Sequence, residues 1–190
     1  MKSFNKSELR LEYKQKRKQM TKDDVVSKSK NAQKMFLKSK IYQTAKTIML
    51  YMPLGNETDT WDIVLKAFED KNRVVIPVTD DKTGVITPCY ITKDTEYKVG
   101  AFNIKEPTVS DVADVCNIDV ILVPGIAFAK SGERIGFGKG CYDMLLKNAK
   151  AIKVGYCYDF QVVKEISDES HDINMDYIVT ENKITECKKY

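Results

Sequence analysis

Between Val123 and Asp143 the chain reads VPGIAFAKSGERIGFGKGCYD, the stretch where residues suited to anion chemistry are densest. Five glycines, Gly125, Gly132, Gly136, Gly138 and Gly140, fall within sixteen residues. Without side chains they let backbone amides approach an anion and permit positive φ. Arg134 and Lys139 add fixed positive charge, and Tyr142 and Asp143 open a helix whose N-terminus favours phosphate. The stretch is not a Walker A loop, because Gly140 follows Lys139 and no Ser or Thr stands ready for magnesium. The alternating glycines also lack the GxGxxG spacing of a dinucleotide fingerprint. On the residues alone two readings stay open, a phosphate cradle and a glycine-rich structural turn, and the basic residues inside the loop favour the first.

Charge directs attention to a second place. The 190 residues carry 31 Lys and Arg against 27 Asp and Glu, a net +4. That excess is too weak to imply a nucleic-acid partner. Only Arg10, Arg17, Arg73 and Arg134 are arginines, and the guanidinium fork is the group preferred for phosphate and carboxylate. On a helix, Lys6, Arg10, Lys14 and Arg17 form one basic stripe beside the apolar Leu9, Tyr13 and Met20. The stripe is either a solvated face or a row of cations overhanging a ligand. Trp61, the only Trp, sits in an amphipathic pattern where core packing is the simpler use than stacking on a ligand. Cys89, Cys116, Cys141, Cys157 and Cys187 are too far apart for a metal clamp, and an odd count argues against a disulfide framework.

The elements that must hold these residues follow from periodicity. Helices are expected at 6–20 and 22–38, with Thr21 as N-cap between them, and at 60–70 and 142–150. Strands are expected at 47–52 (TIMLYM), 73–78 (RVVIPV), 119–123 (DVILV), 151–155 (AIKVG) and 177–179. Residues 84–91 read as an antiparallel insertion that Pro88 assigns to a sheet edge. Alternation of strand and helix predicts an α/β fold: one three-layer domain with a mostly parallel central sheet and the N-terminal helical pair packed on it. Its expected parts are helices in 1–40, an α/β core over 46–180 and a C-terminal tail over 181–190. Ligands of such sheets bind outside the carboxyl ends of the strands, where the loop after Val123 lies. No apolar run approaches the roughly 18 residues of a membrane span, and the charged start is unlike a signal peptide, so a soluble, cytoplasmic protein is expected.

Residues 122–143 (LVPGIAFAKSGERIGFGKGCYD) closely resemble the signature of the 5-formyltetrahydrofolate cyclo-ligases, also called 5,10-methenyltetrahydrofolate synthetases. Further matches follow in order along nearly the whole chain. Residues 6–10 (KSELR) with Arg17 are similar to the family's nucleotide-binding helix, and 52–58 (MPLGNET) to its substrate-contacting loop. Residues 100–107 (GAFNIKEP), 155–161 (GYCYDFQ), His171-Asp172 and 179–181 (VTE) complete the set. The chain departs from the family at Ala129, where Asp is usual, at Cys141, where Tyr is usual, and at Phe137, often basic or Tyr.

The resemblance implies an ATP- and Mg2+-dependent ligase of one-carbon folate metabolism that cyclises 5-formyltetrahydrofolate to 5,10-methenyltetrahydrofolate, releasing ADP and phosphate. Carried over residue by residue, it implies ATP contacts from Lys6, Ser7, Glu8, Leu9 and Arg10, and from Arg134, Ile135, Gly136, Phe137, Gly138, Lys139, Gly140, Cys141 and Tyr142. Folate contacts fall on Met52, Glu57, Phe137, Gly138, Lys139, Gly140 and Cys141. Asp143 and Asp172 match the metal positions, and Lys139 and Arg134 are the expected catalytic cations. His171, the sole His, is discounted as a base because the reaction needs no strong one. Tyr142 is left between a ligand contact and packing under the loop, and Glu106-Pro107 is expected to shape the pocket. Partners are expected to be small molecules, with no nucleic acid or membrane, the chain being a monomer or weak homodimer. Two alternatives are a phosphosugar isomerase or acyl-carrier transferase relative, which would need no ATP, and an RNA- or nucleotide-binding module on the basic helix, which steep salt dependence would reveal.

Overall fold

A computed structural model of the chain describes residues 5–100, 104–109, 111–167 and 172–188. His171 and the Ala101-Phe102-Asn103 part of the GAFNIKEP match lie outside the described residues. The helices are α1 (Lys6–Lys18), α2 (Lys22–Leu37), α3 (Lys40–Thr44), α4 (Trp61–Glu69) and α5 (Cys141–Leu146). The strands are β1 (Thr47–Met49), β2 (Arg73–Thr79), β3 (Ile86–Ile91), β4 (Tyr97–Val99), β5 (Lys105–Pro107), β6 (Asp111–Val112) and β7 (Val120–Val123), followed by β8 (Ala127–Ala129), β9 (Arg134–Ile135), β10 (Ile152–Tyr156), β11 (Val162–Val163), β12 (Tyr177–Val179) and β13 (Ile184–Glu186).

Eight strands form the central sheet in the order β13-β12-β10-β7-β1-β2-β3-β6. The pairings from β12 through β10, β7 and β1 to β2 are parallel, and antiparallel strands close both edges. Apolar residues continue without interruption along the inner strands because both faces are covered. Ile48, Val74, Ile76, Val120 and Leu122 point to one face, where Ala32 and Phe36 of α2 and Ile63 and Val64 of α4 cover them. Their chain neighbours Met49, Val75, Ile121 and Val123 point to the other, against Leu145 and Leu146 of α5 and Phe128. The result is the expected three-layer α/β arrangement with a mostly parallel sheet.

Both N-terminal helices are capped, α1 by Asn5 Oδ1 accepting from Ser7 N and α2, as expected, by Thr21 Oγ1 accepting from Asp24 N. They do not share a floor, however. Helix α2 packs on the central sheet, whereas Leu9 and Tyr13 of α1 pack with Ile126, Ala127 and Ile135 of the small β11-β8-β9 sheet. The apolar stripe read from the sequence therefore serves a second, smaller core. Residues 181–190, expected as a tail, supply β13, which pairs with β12 after a turn in which Thr180 N donates to Lys183 O at 2.9 Å.

Two prolines account for the largest boundary differences. The expected strand 47–52 pairs regularly only over Thr47–Met49, its last bond being Leu50 N to Val75 O at 2.9 Å. The next rung of a parallel ladder would run from residue 77 to Leu50 O, and Pro77 has no N–H to give. Residues 50–52 are thus released from the sheet. Pro88 acts alike, although β3 is not the edge strand expected of it: β6 pairs outside it. Ala113 N donates to Pro88 O at 2.9 Å, the reciprocal bond cannot form, and the pairing stops there. Helix α5 is also shorter than the expected 142–150. The chain leaves it after Leu146 so that Ile152 can pair with Val120 and donate to Asp119 O at 2.9 Å.

At the amino ends of the strands, Asp119 Oδ2 accepts the N–H groups of Lys46 and Thr47, both at 2.8 Å. Its carbonyl takes Ile152 N, so one residue registers β1, β7 and β10. This end of the sheet lies away from the carboxyl ends where ligands gather. Asp119→Ala is expected to lower stability by about 1–2 kcal/mol, seen as a lower urea midpoint, with kcat unchanged. A fall in kcat at full folding would contradict this separation.

Candidate active site

The strand order reverses beside β1, whose chain runs on through α4 to β2 on one side while β7 lies on the other. Connections diverge at such a switch point and leave a crevice above the carboxyl ends. A cleft of about 470 Å3 occupies that place, within the range of small-molecule sites. Tyr51, Met52 and Leu54 enter it from the chain released after β1, Pro77 and Thr79 from the end of β2, Pro124 from the end of β7, and Ile104 and Glu106 from beside β5. This end is largely apolar. The opposite end is the loop 136–140 with the start of α5.

Loop 136–140 has the backbone that its glycines permit. Gly138 and Gly140 have φ of 104° and 67°, values that a side chain would make costly. Among the described residues, the N–H groups of Phe137, Gly138 and Gly140 find no hydrogen-bond acceptor. Helix α5 has only six residues, so its dipole is weaker support than expected. An anion bound here would be held by the loop amides and the side chains around them.

Those side chains come from α1, β9 and the segment before β12. Lys6 Nζ lies 2.5 Å from Asp172 Oδ2, and Arg10 Nε donates to Gly136 O at 2.9 Å. Both cations line the cleft, so the first half of the basic stripe overhangs it, while Lys14 and Arg17 do not line it. Lys14 and Arg17 lie over the Phe137 ring, 5.6 and 5.5 Å from its centroid. Lys139 is exposed on the loop. Arg134 is buried, with Nη2 2.9 Å from Asp143 Oδ1 and its guanidinium 5.9 Å from the centre of the Tyr142 ring. Its Nε is fully buried with no partner among the described residues, a donor that an anionic oxygen would satisfy.

Asp143 Oδ1 also accepts Ile173 N at 3.4 Å. That contact brings Asp172 to the same wall, and both carboxylates line the cleft. Among the described residues no three His, Cys, Asp or Glu gather as a metal site. Two hard oxygen donors beside a glycine loop ringed by cations fit Mg2+, which keeps several waters and needs few protein ligands.

At the apolar end, Glu57 is one of two buried carboxylates. Burial pushes its carboxyl above the ordinary range, and Arg17 beside it, 3.5 Å away, opposes that. Glu57 Oε2 accepts Leu54 N at 2.9 Å. Glu106, also buried, accepts Thr79 N at 3.0 Å.

Of the residues that the family resemblance named, Lys6, Arg10, Met52, Glu57, all of 134–143 and Asp172 line this one cleft. Ser7 and Glu8 are exposed away from it, and the Leu9 side chain is buried in the small core. Trp61 meets Tyr97 edge-on at 6.2 Å and does not line the cleft. Tyr142 packs against the two large cores and also lines the cleft. Sequence reasoning did not name Tyr51, Pro77, Thr79 or Pro124. Their one signal was position, each lying at or just past the carboxyl end of a strand.

The model of the 5-formyltetrahydrofolate cyclo-ligase family matches residues 2–181. A 5-formyltetrahydrofolate cyclo-ligase of Escherichia coli K12 is 30% identical over 148 residues, covering 75% of this chain and 81% of that protein. The solution structure of the Aquifex aeolicus 5,10-methenyltetrahydrofolate synthetase superposes with a TM-score of 0.86 at 31% identity, covering 96% of this chain and 93% of that one. The 5,10-methenyltetrahydrofolate synthetase of Mycoplasma pneumoniae superposes with a TM-score of 0.74 at 26% identity, covering 94% and 99%.

Proposed function

The chain belongs to the 5-formyltetrahydrofolate cyclo-ligase family, and from that premise we propose that it drives ring closure of 5-formyltetrahydrofolate with ATP and Mg2+ in the cytoplasm. One observation carries this reading. A single cleft joins a glycine loop surrounded by Lys6, Arg10, Arg134 and Lys139 to an apolar end holding the buried Glu57. The first end suits a polyphosphate, the second a flat heterocycle with polar N–H groups.

The chemistry needs both ends at once. A formamide is a poor electrophile and its oxygen a poor leaving group, so attack by N10 alone stalls. Transfer of the γ-phosphoryl group to the formyl oxygen cures both faults and leaves ADP. N10 then attacks the activated carbon and gives up its proton, and the cyclic adduct expels phosphate, which carries that proton away, to give the methenyl product. Little covalent work falls to the protein, so rate comes from alignment and charge neutralisation. Lys6 and Arg10 clamp the polyphosphate from α1, while the loop amides and Lys139 hold it from below. The buried Arg134 fixes Asp143 and offers its unpartnered Nε. Met52 and Phe137 contact the folate and exclude water, and Glu57 accepts from the pterin ring. Asp143 and Asp172 would hold Mg2+, which when bound offsets charge on the transferring phosphate.

The test is direct. Purified protein with MgATP and 5-formyltetrahydrofolate is expected to form the methenyl compound with one ADP released per product, and folded protein giving neither would sink the reading. Asp143→Asn is expected to raise the Mg2+ concentration for half-maximal rate roughly tenfold or more. An unchanged Mg2+ titration would remove Asp143 from the metal's surroundings.

A further inference from the structure

Arg17 is the one arginine near the cleft that does not line it. Both partners of its ion pair are nearly enclosed, with 12% of the Arg17 side chain and 5% of the Glu57 side chain exposed. The contact is held from two sides. Asn56 Nδ2 donates to Arg17 O at 3.1 Å and Met20 O at 3.4 Å, pinning the loop after β1 to the end of α1. On its other side the guanidinium meets the Phe137 ring of the phosphate loop. A planar guanidinium can serve a carboxylate and an aromatic face together, which an ammonium does poorly.

We propose that Arg17 is a positioning residue of the reaction: its guanidinium orients the Glu57 carboxylate toward the folate end of the cleft and ties it to the phosphate loop through Phe137. The inference rests on the reading of Glu57 as a folate contact given above, and it separates Arg17 from the nucleotide role implied for the rest of its helix. Among the described residues, the other titratable groups facing Glu57 do not take Arg17's place. Tyr51, and Tyr142 from α5, approach as hydroxyls whose own ionisation burial suppresses. The Tyr158 hydroxyl donates to the Glu57 backbone carbonyl at 3.2 Å, not to its carboxylate. Arg17 is therefore the cation that offsets the burial of Glu57. Without it, Glu57 takes up a proton at higher pH, and the carboxylate that accepts from the substrate is lost as pH falls through that raised value.

The experiment uses the full chain and compares Arg17→Met, Arg17→Lys, Glu57→Gln and the R17M/E57Q pair. KM for folate, KM for ATP and the pH profile of kcat/KM for folate are measured on variants shown to be folded. Arg17→Met is expected to raise folate KM about tenfold, leave ATP KM within about twofold of the parent, and move the acid limb upward by about one pH unit or more. Arg17→Lys, which keeps the charge and loses the fork, restores most of the acid limb but not folate KM. In the Glu57→Gln background, Arg17→Met changes folate KM little further. A rise in ATP KM with folate KM unmoved would overturn the proposal, as would an acid limb that stays in place in Arg17→Met. If Arg17→Met does not fold, a folate KM in Arg17→Lys equal to the parent's overturns it equally. If Glu57→Gln alone leaves folate KM unchanged, the folate reading of Glu57 fails first and this proposal falls with it.

Discussion

Replacing Lys139 by Ala is expected to lower kcat about a hundredfold or more while folate still binds. The structure makes this substitution clean. Lys139 is exposed between two glycines of positive φ, so truncation empties no core and should leave the melting temperature within about 1–2 °C of the parent. Arg134, Lys6 and Arg10 remain to hold the nucleotide. The deficit should therefore fall on turnover, where charge builds on the transferring phosphoryl group, more than on ground-state binding. Single-turnover rates with saturating MgATP, alongside equilibrium binding of 5-formyltetrahydrofolate, separate the two. Activity near that of the parent would remove Lys139 from the cradle.

Arg134→Met is expected to have the larger total effect because it strikes stability and chemistry together. Arg134 is buried and paired at 2.9 Å with Asp143, whose side chain is one-fifth exposed (21%). Its loss leaves a partly enclosed carboxylate without its cation, at a cost of about 2–3 kcal/mol after allowing for that exposure. In a chain of this size that corresponds to roughly 5–10 °C in melting temperature. Activity should fall about a thousandfold, since the buried Nε donor and the orientation of Asp143 go together. The R134M/D143N pair distinguishes the two effects. Neutralising the stranded carboxylate should recover about half of the lost stability and none of the activity. A melting temperature unchanged in Arg134→Met would show that the ion pair contributes nothing to the fold, and recovery of activity in the double variant would place the role of Arg134 wholly in Asp143.

Much of this was legible before any coordinates. Parallel strands announced themselves through unbroken apolar runs such as 120–123, because burial on both faces leaves no polar alternation to confuse the pattern. The glycine-loop end of the cleft was legible because it is continuous in sequence, glycines and cations lying within residues 134–140. The apolar end was not, apart from Met52 and Glu57, which came from family resemblance. Its walls come from the ends of three strands, and only the strand order brings them together. Pro77 shows the limit most clearly. Its identity was plain, but its effect falls on β1, the neighbouring strand, where the missing N–H leaves Leu50 O unclaimed. Strands of two or three residues, such as β6, β9 and β11, carry too short a pattern to read and exist only through their partners. The basic stripe of α1 was visible as a stripe. Which of its cations would find partners was not, because Asp172, Gly136 and Glu57 lie 166, 126 and 40 residues away from Lys6, Arg10 and Arg17.

Those separations bear on how the protein is made. Helix α1 leaves the ribosome before any of its docking partners, and closing such long loops carries an entropic cost that must be met before the contacts form. The strands from β1 to β10 pair over spans of at most 72 residues, shorter than the 126 and 166 residues that separate Arg10 and Lys6 from their partners. Asp172 arrives only after β10 and β11 have been synthesised. The Lys6–Asp172 ion pair is therefore the last of these α1 contacts that can form. A chain stalled just before Asp172 would hold most of the central sheet and still lack the ion pair that ties the start of α1 to the cleft wall.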